Sequence, residues 1–412
     1  MVKATTILTL FLVTILQISA LTPHLPHSNL PGKLVRFADL DQCPRLTERN
    51  NPKSVTDVRP DDFTVVMAIG DSITAGLLAG QSRSSSNSRQ RPFYSKLFDI
   101  QEYRGLSYPT GGDPGSITIA RILEHYIGHP VTGVSKGQHP PIVCLQGLGA
   151  KGCMDRPEED GLNAGISGSI AAGLVRQVED YLLPRLKKIG ISDEEWKLVN
   201  LGIGANDICA FCMSSNVTGY SFHGSSKQFA RDIRKAVNLL RAHVPNIIVN
   251  IIGLFRVSSI YELTRKDPYC QPPHIPPTIP HLPLECNCAL LPGLVGDWTR
   301  KRMDELAEAY DEAVLEVVRE WEREEDPTFG AIWYPGTVVD LANYPITALS
   351  PIDCFHPSQA AHQRLAAGFW NRLVLDLETK YIPIKWEDNV WVRCLEENDR
   401  IPIGMVSKFI PV

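Results

Sequence analysis

The chain has 412 residues, with 41 Lys or Arg against 46 Asp or Glu for a formal net charge of −5. With 43% apolar residues it can bury a sizeable core. It has no basic block and no basic-aromatic interleaving to track a phosphate backbone, so nucleic acid is excluded as a partner.

The N-terminus opens with Met1-Val2-Lys3, continues with an apolar run from Ile7 to Leu16 and ends on Gln17-Ile18-Ser19-Ala20. This reads as a secretory signal peptide over residues 1–20, because the run is shorter than the ~20 apolar residues that span a bilayer. Nothing later is long and apolar enough to cross a membrane. The expectation is a secreted, extracellular chain without a stable membrane anchor, whose ten cysteines pair as disulfides. Residues 21–60 are rich in Pro, His and Asn and read as a surface lead-in stapled through Cys43.

Phe63 to Ile69 is a short, branched apolar run, as in a strand buried on both faces. Gly70-Asp71-Ser72 then makes a sharp turn, and Thr74 to Leu78 opens a helix. A serine so placed either presents a nucleophile or caps the helix; Asp71 fixes the turn. Gln81 to Arg89 is a low-complexity polar loop at the border of a site. Ser116 to Leu123 reads as a short helix. Two motifs then fail on context. Gly133-Val134-Ser135-Lys136-Gly137 has the spacing of a nucleophile elbow but runs into His139-Pro140-Pro141 where a helix is needed. Gly147 to Gly152 follows an expected strand, Pro141 to Leu145, yet no helix opens after it to receive a phosphate.

Leu162 to Gly168 is a glycine-rich bend before a helix with Ala171, Leu174, Val175, Val178 and Leu182 on one face. Trp196 to Ile203 is the next strand, ending at Gly204-Ala205-Asn206-Asp207, where an asparagine amide can donate to an oxyanion. Cys209 with Cys212, and Cys286 with Cys288, have redox-like and clip-like spacings but read as structural, since no second pair with zinc spacing accompanies them. Asn216-Val217-Thr218 is a glycosylation sequon. A helix carrying Phe229, Ile233, Val237 and Leu240 and a strand from Ile247 to Ile252 continue the alternation of a parallel α/β sheet. Residues 267–293 form a Pro- and Cys-rich excursion. A long helix through Met303 and Val317 leads to a last strand around 332–339, and Asp353-Cys354-Phe355-His356 precedes a helix with Ala361, Leu365, Phe369 and Leu373 buried. An acid three residues before a histidine can hold its tautomer from the same loop, leaving the other ring nitrogen to Ser72. His362 is the nearest rival base, at poorer spacing from Asp353.

Four ordered blocks now stand out: Gly70-Asp71-Ser72-Ile73-Thr74, Asn163 to Gly168, Gly204-Ala205-Asn206-Asp207, and Asp353 to His356. Together they resemble the GDSL, or SGNH, hydrolases. The phospholipase B-like branch is nearest, on Asp61-Asp62-Phe63, Tyr108 to Asp113, Ile208-Cys209 with Cys212, and Ser350-Pro351-Ile352 before the last block. The resemblance covers residues 52 to 380. It implies a three-layer α/β/α sandwich with a mainly parallel, flavodoxin-like sheet, and a hydrolase of carboxylic esters needing no cofactor or metal. By the same resemblance Ser72 is the nucleophile, His356 the base and Asp353 its partner, with Ser72, Gly168 and Asn206 forming the oxyanion hole. Ile73 stands where the family name has leucine. The second block is offset, so Gly165 is the substitute for Gly168, and the branch's membrane-anchoring tail is not expected here. The expected organisation is a hydrolase domain at 61–380 and a C-terminal extension at 381–412. The expected substrate is a lipid ester, worked through an acyl-enzyme; the alternatives are an acetyl xylan-type carbohydrate esterase or a non-catalytic lipid- or glycan-binding protein of the same fold.

Overall fold

The structure is a computed structural model describing residues 30–80, 100–141, 155–210, 224–265, 267, 270, 286–404 and 406. The signal peptide, the 81–89 loop, all but Pro141 of the strand expected at 141–145, the Gly147–Gly152 motif, Cys212, Asn216 and most of the 267–293 excursion lie outside these residues. A short strand β1 (Leu34–Arg36) comes first, followed by β2 (Phe63–Gly70), β3 (Trp196–Gly202), β4 (Ile247–Ile252), β5 (Phe329–Tyr334) and β6 (Trp391–Arg393). Strands β2 to β5 form one parallel sheet in the order β2-β3-β4-β5. Parallel strands are covered on both faces, which is why these segments are largely apolar, with Lys197, Asn200 and Asn250 as buried polar exceptions.

Side chains alternate across the sheet and sort into two cores. Val65, Met67 and Ile69 belong to one, with Val199, Leu201, Val249 and Ile251. Val66, Leu198 and Ile248 belong to the other. The helices that position the site and cover the sheet are, in chain order, α1 (Ser72–Ala75), α2 (Ile119–Ile127), a continuous helical stretch α3 (residues 171–189), α4 (Ala205–Cys209), α5 (Ser226–His243), α6 (Ser258–Thr264), α7 (Gly293–Glu322) and α8 (Gln359–Trp370), with single turns at Pro157–Asp160 and Leu377–Lys380 besides. Buried residues of α3, α5 and α7 fill the first core, and those of α2 and α8 fill the second. The result is a three-layer α/β/α sandwich of the expected class. Within α3, Gln177–Leu182 is a π-helical turn. Among the described residues no helix is long and apolar enough to cross a membrane.

Several boundaries differ from the sequence reading for identifiable reasons. The helix expected through Leu78 stops at Ala75, because Gly76 adopts φ +75° and caps it. A side chain there would meet the Tyr103 carbonyl oxygen at 2.5 Å. The short helix runs over Ile119–Ile127 rather than 116–123, starting where the Thr118 side chain accepts the Arg121 N–H. The last sheet strand ends at Tyr334 rather than near 339: Pro335 has no N–H for a ladder, and Gly336–Val338 turns instead. The lead-in is not purely a surface segment. Val35, Leu40, Val55 and Val58 are buried in the second core, β1 pairs with β6 antiparallel, and Cys43 is bonded to Cys394.

Candidate active site

The carboxyl ends of β2 and β3 deliver two of the expected blocks to one edge of the sheet. Space dictates glycine at the end of β2: a Cβ on Gly70 would lie 2.2 Å from the Gly202 carbonyl oxygen and 2.3 Å from Thr74 Oγ1. The chain then turns, and the Asp71 side chain accepts the Ile73 N–H at 3.0 Å as the cap of α1. Asp71 thus fixes the turn. Ser72 is the first residue of the helix, where a backbone N–H is left out of the helical ladder.

Ser72 is 4% exposed, Asp353 3% and His356 1%. The Ser72 hydroxyl donates to His356 Nε2 at 2.7 Å, and His356 Nδ1 is bonded to Asp353 Oδ2. An ionised carboxylate can only accept, so the proton sits on Nδ1 and Nε2 is the acceptor that faces the serine. The other Asp353 oxygen accepts the backbone N–H groups of Phe355 (3.1 Å) and His356 (3.2 Å). Burial pushes the Asp353 pKa up, but the His356 ring and these two amides outweigh it and hold the carboxyl below its ordinary value of 3.8. The loop closes through a Ser350 N–H to His356 carbonyl bond of 2.7 Å, and Cys354, at φ +54°, is bonded to Cys270.

The glycine-rich bend lies beside this group. Ile166 to Ser169 forms a turn, with the Ser169 N–H on the Ile166 carbonyl at 3.0 Å and Gly168 in its third position at φ +78°. That conformation favours glycine, and Gly168 is exposed at the tip. Asn206, in the first turn of α4, donates through Nδ2 to the Ser169 carbonyl at 2.9 Å, which ties the third block to the second. Gly204, before it, has φ +123°, and a Cβ there would sit 2.8 Å from Leu254 and 2.9 Å from Phe229. The next residue, Asp207, accepts the Ala171 N–H. Its pKa is raised to about 7, first by burial and then by repulsion from Asp71, against the lowering effect of the Ala171 bond.

Other nucleophile and base readings fall on geometry. The Ser135 hydroxyl is fully buried and donates to the Arg104 carbonyl at 2.8 Å, away from any strand-to-helix elbow. His362 is fully buried, its Nδ1 accepts the Tyr108 N–H at 3.3 Å, and burial takes its pKa down to about 3. Cys209 is bonded to Cys286, so neither short-spaced cysteine motif is a vicinal redox pair at those positions.

An apolar cavity of about 110 Å³ adjoins the group. Ile73 lines it next to Ser72, Phe355 and Pro357 flank His356 on its wall, and Leu254, Ile260 and Leu349 extend it over the carboxyl ends of the strands. A space so largely lined by hydrocarbon accepts an apolar chain.

One residue escaped the sequence reading. Gln177, 1% exposed, donates through Nε2 to the Gly70 carbonyl (2.7 Å) and Ser169 Oγ (3.1 Å), while its Oε1 accepts the Gly70 N–H at 2.8 Å. A polar side chain on the buried arc of an otherwise apolar helix face was the available signal.

The GDSL-like lipase/acylhydrolase family model matches residues 66–369. Phospholipase B1, membrane-associated, of Mus musculus is 27% identical over 361 residues, covering 85% of this chain and 22% of that protein. The Homo sapiens protein of the same name is 27% identical over 376 residues, covering 88% of this chain and 23% of that one. The chain therefore spans less than a quarter of the length of these relatives. An acetyl xylan esterase structure from Geobacillus stearothermophilus shares 15% identity, covering 79% of this chain and 100% of that chain, at a TM-score of 0.36.

Proposed function

The chain belongs to the GDSL-like lipase/acylhydrolase family, and from that premise we propose that it is a secreted serine esterase hydrolysing carboxylic esters of lipids, of phospholipase B or lysophospholipase type. The single observation that carries the reading is the continuous hydrogen-bonded chain Ser72–His356–Asp353 set against an apolar cavity. As Ser72 Oγ attacks the ester carbonyl, His356 Nε2 takes its proton, and Asp353 holds the ring and stabilises the imidazolium. The carbonyl oxygen becomes an oxyanion, received by the Ser72 and Gly168 amides and the Asn206 side chain. Collapse expels the alcohol, which takes its proton from His356 and leaves an acyl-serine. Water, deprotonated by the same histidine, then releases the carboxylic acid.

The lipid preference is supported by the apolar cavity and by the printed name of the relatives, phospholipase B1. Secretion is supported by the disulfides Cys43–Cys394, Cys209–Cys286 and Cys270–Cys354, which persist in oxidising compartments. The unit carrying the chemistry is residues 61–380. The test is the purified chain and Ser72→Ala on a panel of esters running from acetylated xylan to lysophosphatidylcholine, with fluorophosphonate labelling. The expected result is a labelled serine, turnover of long-chain lipid esters above acetylated xylan, and loss of both label and turnover in Ser72→Ala. Wild-type turnover in Ser72→Ala would end the serine mechanism, and preference for acetylated xylan would move the substrate to carbohydrate.

A further inference from the structure

The bend that carries Gly168 is held far more firmly than a surface turn requires. Gly168 itself is exposed, but Ser167 and Ser169 on either side are buried and each is gripped by a different group. On one side, the Gln177 carboxamide pairs with both the N–H and the carbonyl of Gly70 and gives its remaining N–H to Ser169 Oγ. Both of its N–H donors and its oxygen are engaged, and they link the end of β2, two residues before Ser72, to the residue after Gly168. On the other side, the Ser167 hydroxyl donates to Glu102 Oε1, whose second oxygen accepts from Arg104 Nη2 at 2.7 Å. Arg104 donates onward to the carbonyl oxygens of Asn163 (3.1 Å) and Gly165 (2.8 Å). Its Nε also lies 3.2 Å from Asp160, which is bonded to His139. Asn163 Nδ2 closes the frame by donating to the Thr74 carbonyl of α1 at 2.8 Å.

We propose that Gln177 is a positioning residue: it sets the separation between the Ser72 nucleophile and the Gly168 and Asn206 donors, while Glu102 and Arg104 hold the opposite side of the same loop. The inference rests on the reading of Gly168 and Asn206 as oxyanion donors. Its physical reason is the steepness of that interaction, because donors must meet the developing oxyanion at about 2.7–3.1 Å. A misplacement on the order of 1 Å costs roughly a hundredfold in rate. Asn206 is bonded to the Ser169 carbonyl, so a shift of Ser169 moves both donors together.

The test uses the full chain and three variants. Gln177→Glu keeps an acceptor for the Gly70 N–H but loses the donor to the Gly70 carbonyl and to Ser169. Ser167→Ala removes only the tie to Glu102, leaves that carboxylate paired with Arg104, and stands in if Gln177→Glu fails to fold. Asn238→Ala, on α5, removes the acceptor of the Trp321 indole N–H of α7, remote from the site, as a control for lost stability. The expected result is a kcat reduced roughly tenfold to a hundredfold in Gln177→Glu and Ser167→Ala, with KM within about twofold of wild type. Phosphonylation of Ser72 should slow in parallel, and kcat should be unchanged in Asn238→Ala. Wild-type kcat in Ser167→Ala and in any folded Gln177→Glu, or losses that appear in KM alone, would overturn the proposal. Wild-type protein inert to both esters and fluorophosphonate would instead sink the esterase reading beneath it.

Discussion

Asp353 shows how much a single buried atom can decide. One of its oxygens is occupied by two backbone N–H groups, so the other alone faces His356 Nδ1. In Asp353→Asn the amide oxygen stays on those N–H groups and the NH₂ faces the ring. Nδ1 must then accept, Nε2 carries the proton, and the nitrogen facing Ser72 can no longer act as base. We expect kcat to fall by about 10⁴ with KM little changed, as wrong-tautomer substitutions do, measured as steady-state hydrolysis of a short acyl ester. Asp207 obeys the opposite sign. Its native pKa of about 7 lies above the ordinary 3.8, so between those values the folded chain keeps a proton that the unfolded chain has released. Its contribution to stability is full below about pH 4 and lost as pH rises through 7. Asp207→Asn keeps an acceptor for Ala171 without the charge, and its Tm should exceed that of wild type at pH 8 and match it at pH 4. Each pH unit in that window is worth up to ~1.4 kcal/mol; a flat difference across the range would show that the carboxyl is not protonated in the native state.

At the scale of the elements, α4 and the Asp353–His356 loop are each joined covalently to a distant segment. Cys209 at the end of α4 is bonded to Cys286, and Cys354, inside the Asp353–His356 loop, is bonded to Cys270 across 84 residues. Cys354 occupies the left-handed region at φ +54°, which costs an ordinary residue ~1–2 kcal/mol. The disulfide and the loop conformation therefore support each other. Cys270→Ala with Cys354→Ala should lower Tm and reduce kcat roughly tenfold, whereas Cys270→Ala with Cys354→Gly should lower Tm similarly but keep more of kcat, because glycine accepts that φ. Equal kcat in the two pairs would show that the backbone there needs no support. The strands were legible because both faces of a parallel sheet are apolar, and the first and third blocks because each sits at a strand's carboxyl end with the glycines that crowding imposes. Helix ends were less legible: Gly76 reads equally well as a tolerated helical glycine until the Tyr103 carbonyl is seen beside it. Gln177 and its Gly70 partner are 107 residues apart, and no local pattern joins them.

Across the whole molecule, the outer segments and the site are anchored separately, which the sequence did not disclose because Pro- and Asn-rich composition resembles a surface tether. The lead-in contributes Val35, Leu40, Val55 and Val58 to the second core. Trp370 of α8 donates its indole N–H to the Arg393 carbonyl, and the Arg393 guanidinium pairs with Asp399, so β6 is fastened to the α8 side of the sheet. Cys43–Cys394 then locks β1 to β6 across a separation of 351 residues. A cross-link closing so long a loop restricts the unfolded chain strongly, by roughly 6 kcal/mol in the chain-entropy account and by less where unfolded structure persists. Both cysteines belong to the second core. Cys43→Ala with Cys394→Ala should therefore lower Tm by several degrees and leave kcat/KM at 25 °C within about twofold of wild type. That outcome contrasts with the loss expected when Cys270–Cys354 is removed. If the two deletions reduced kcat/KM equally at a temperature where both variants remain folded, the site would depend on global rigidity and not on its own staples.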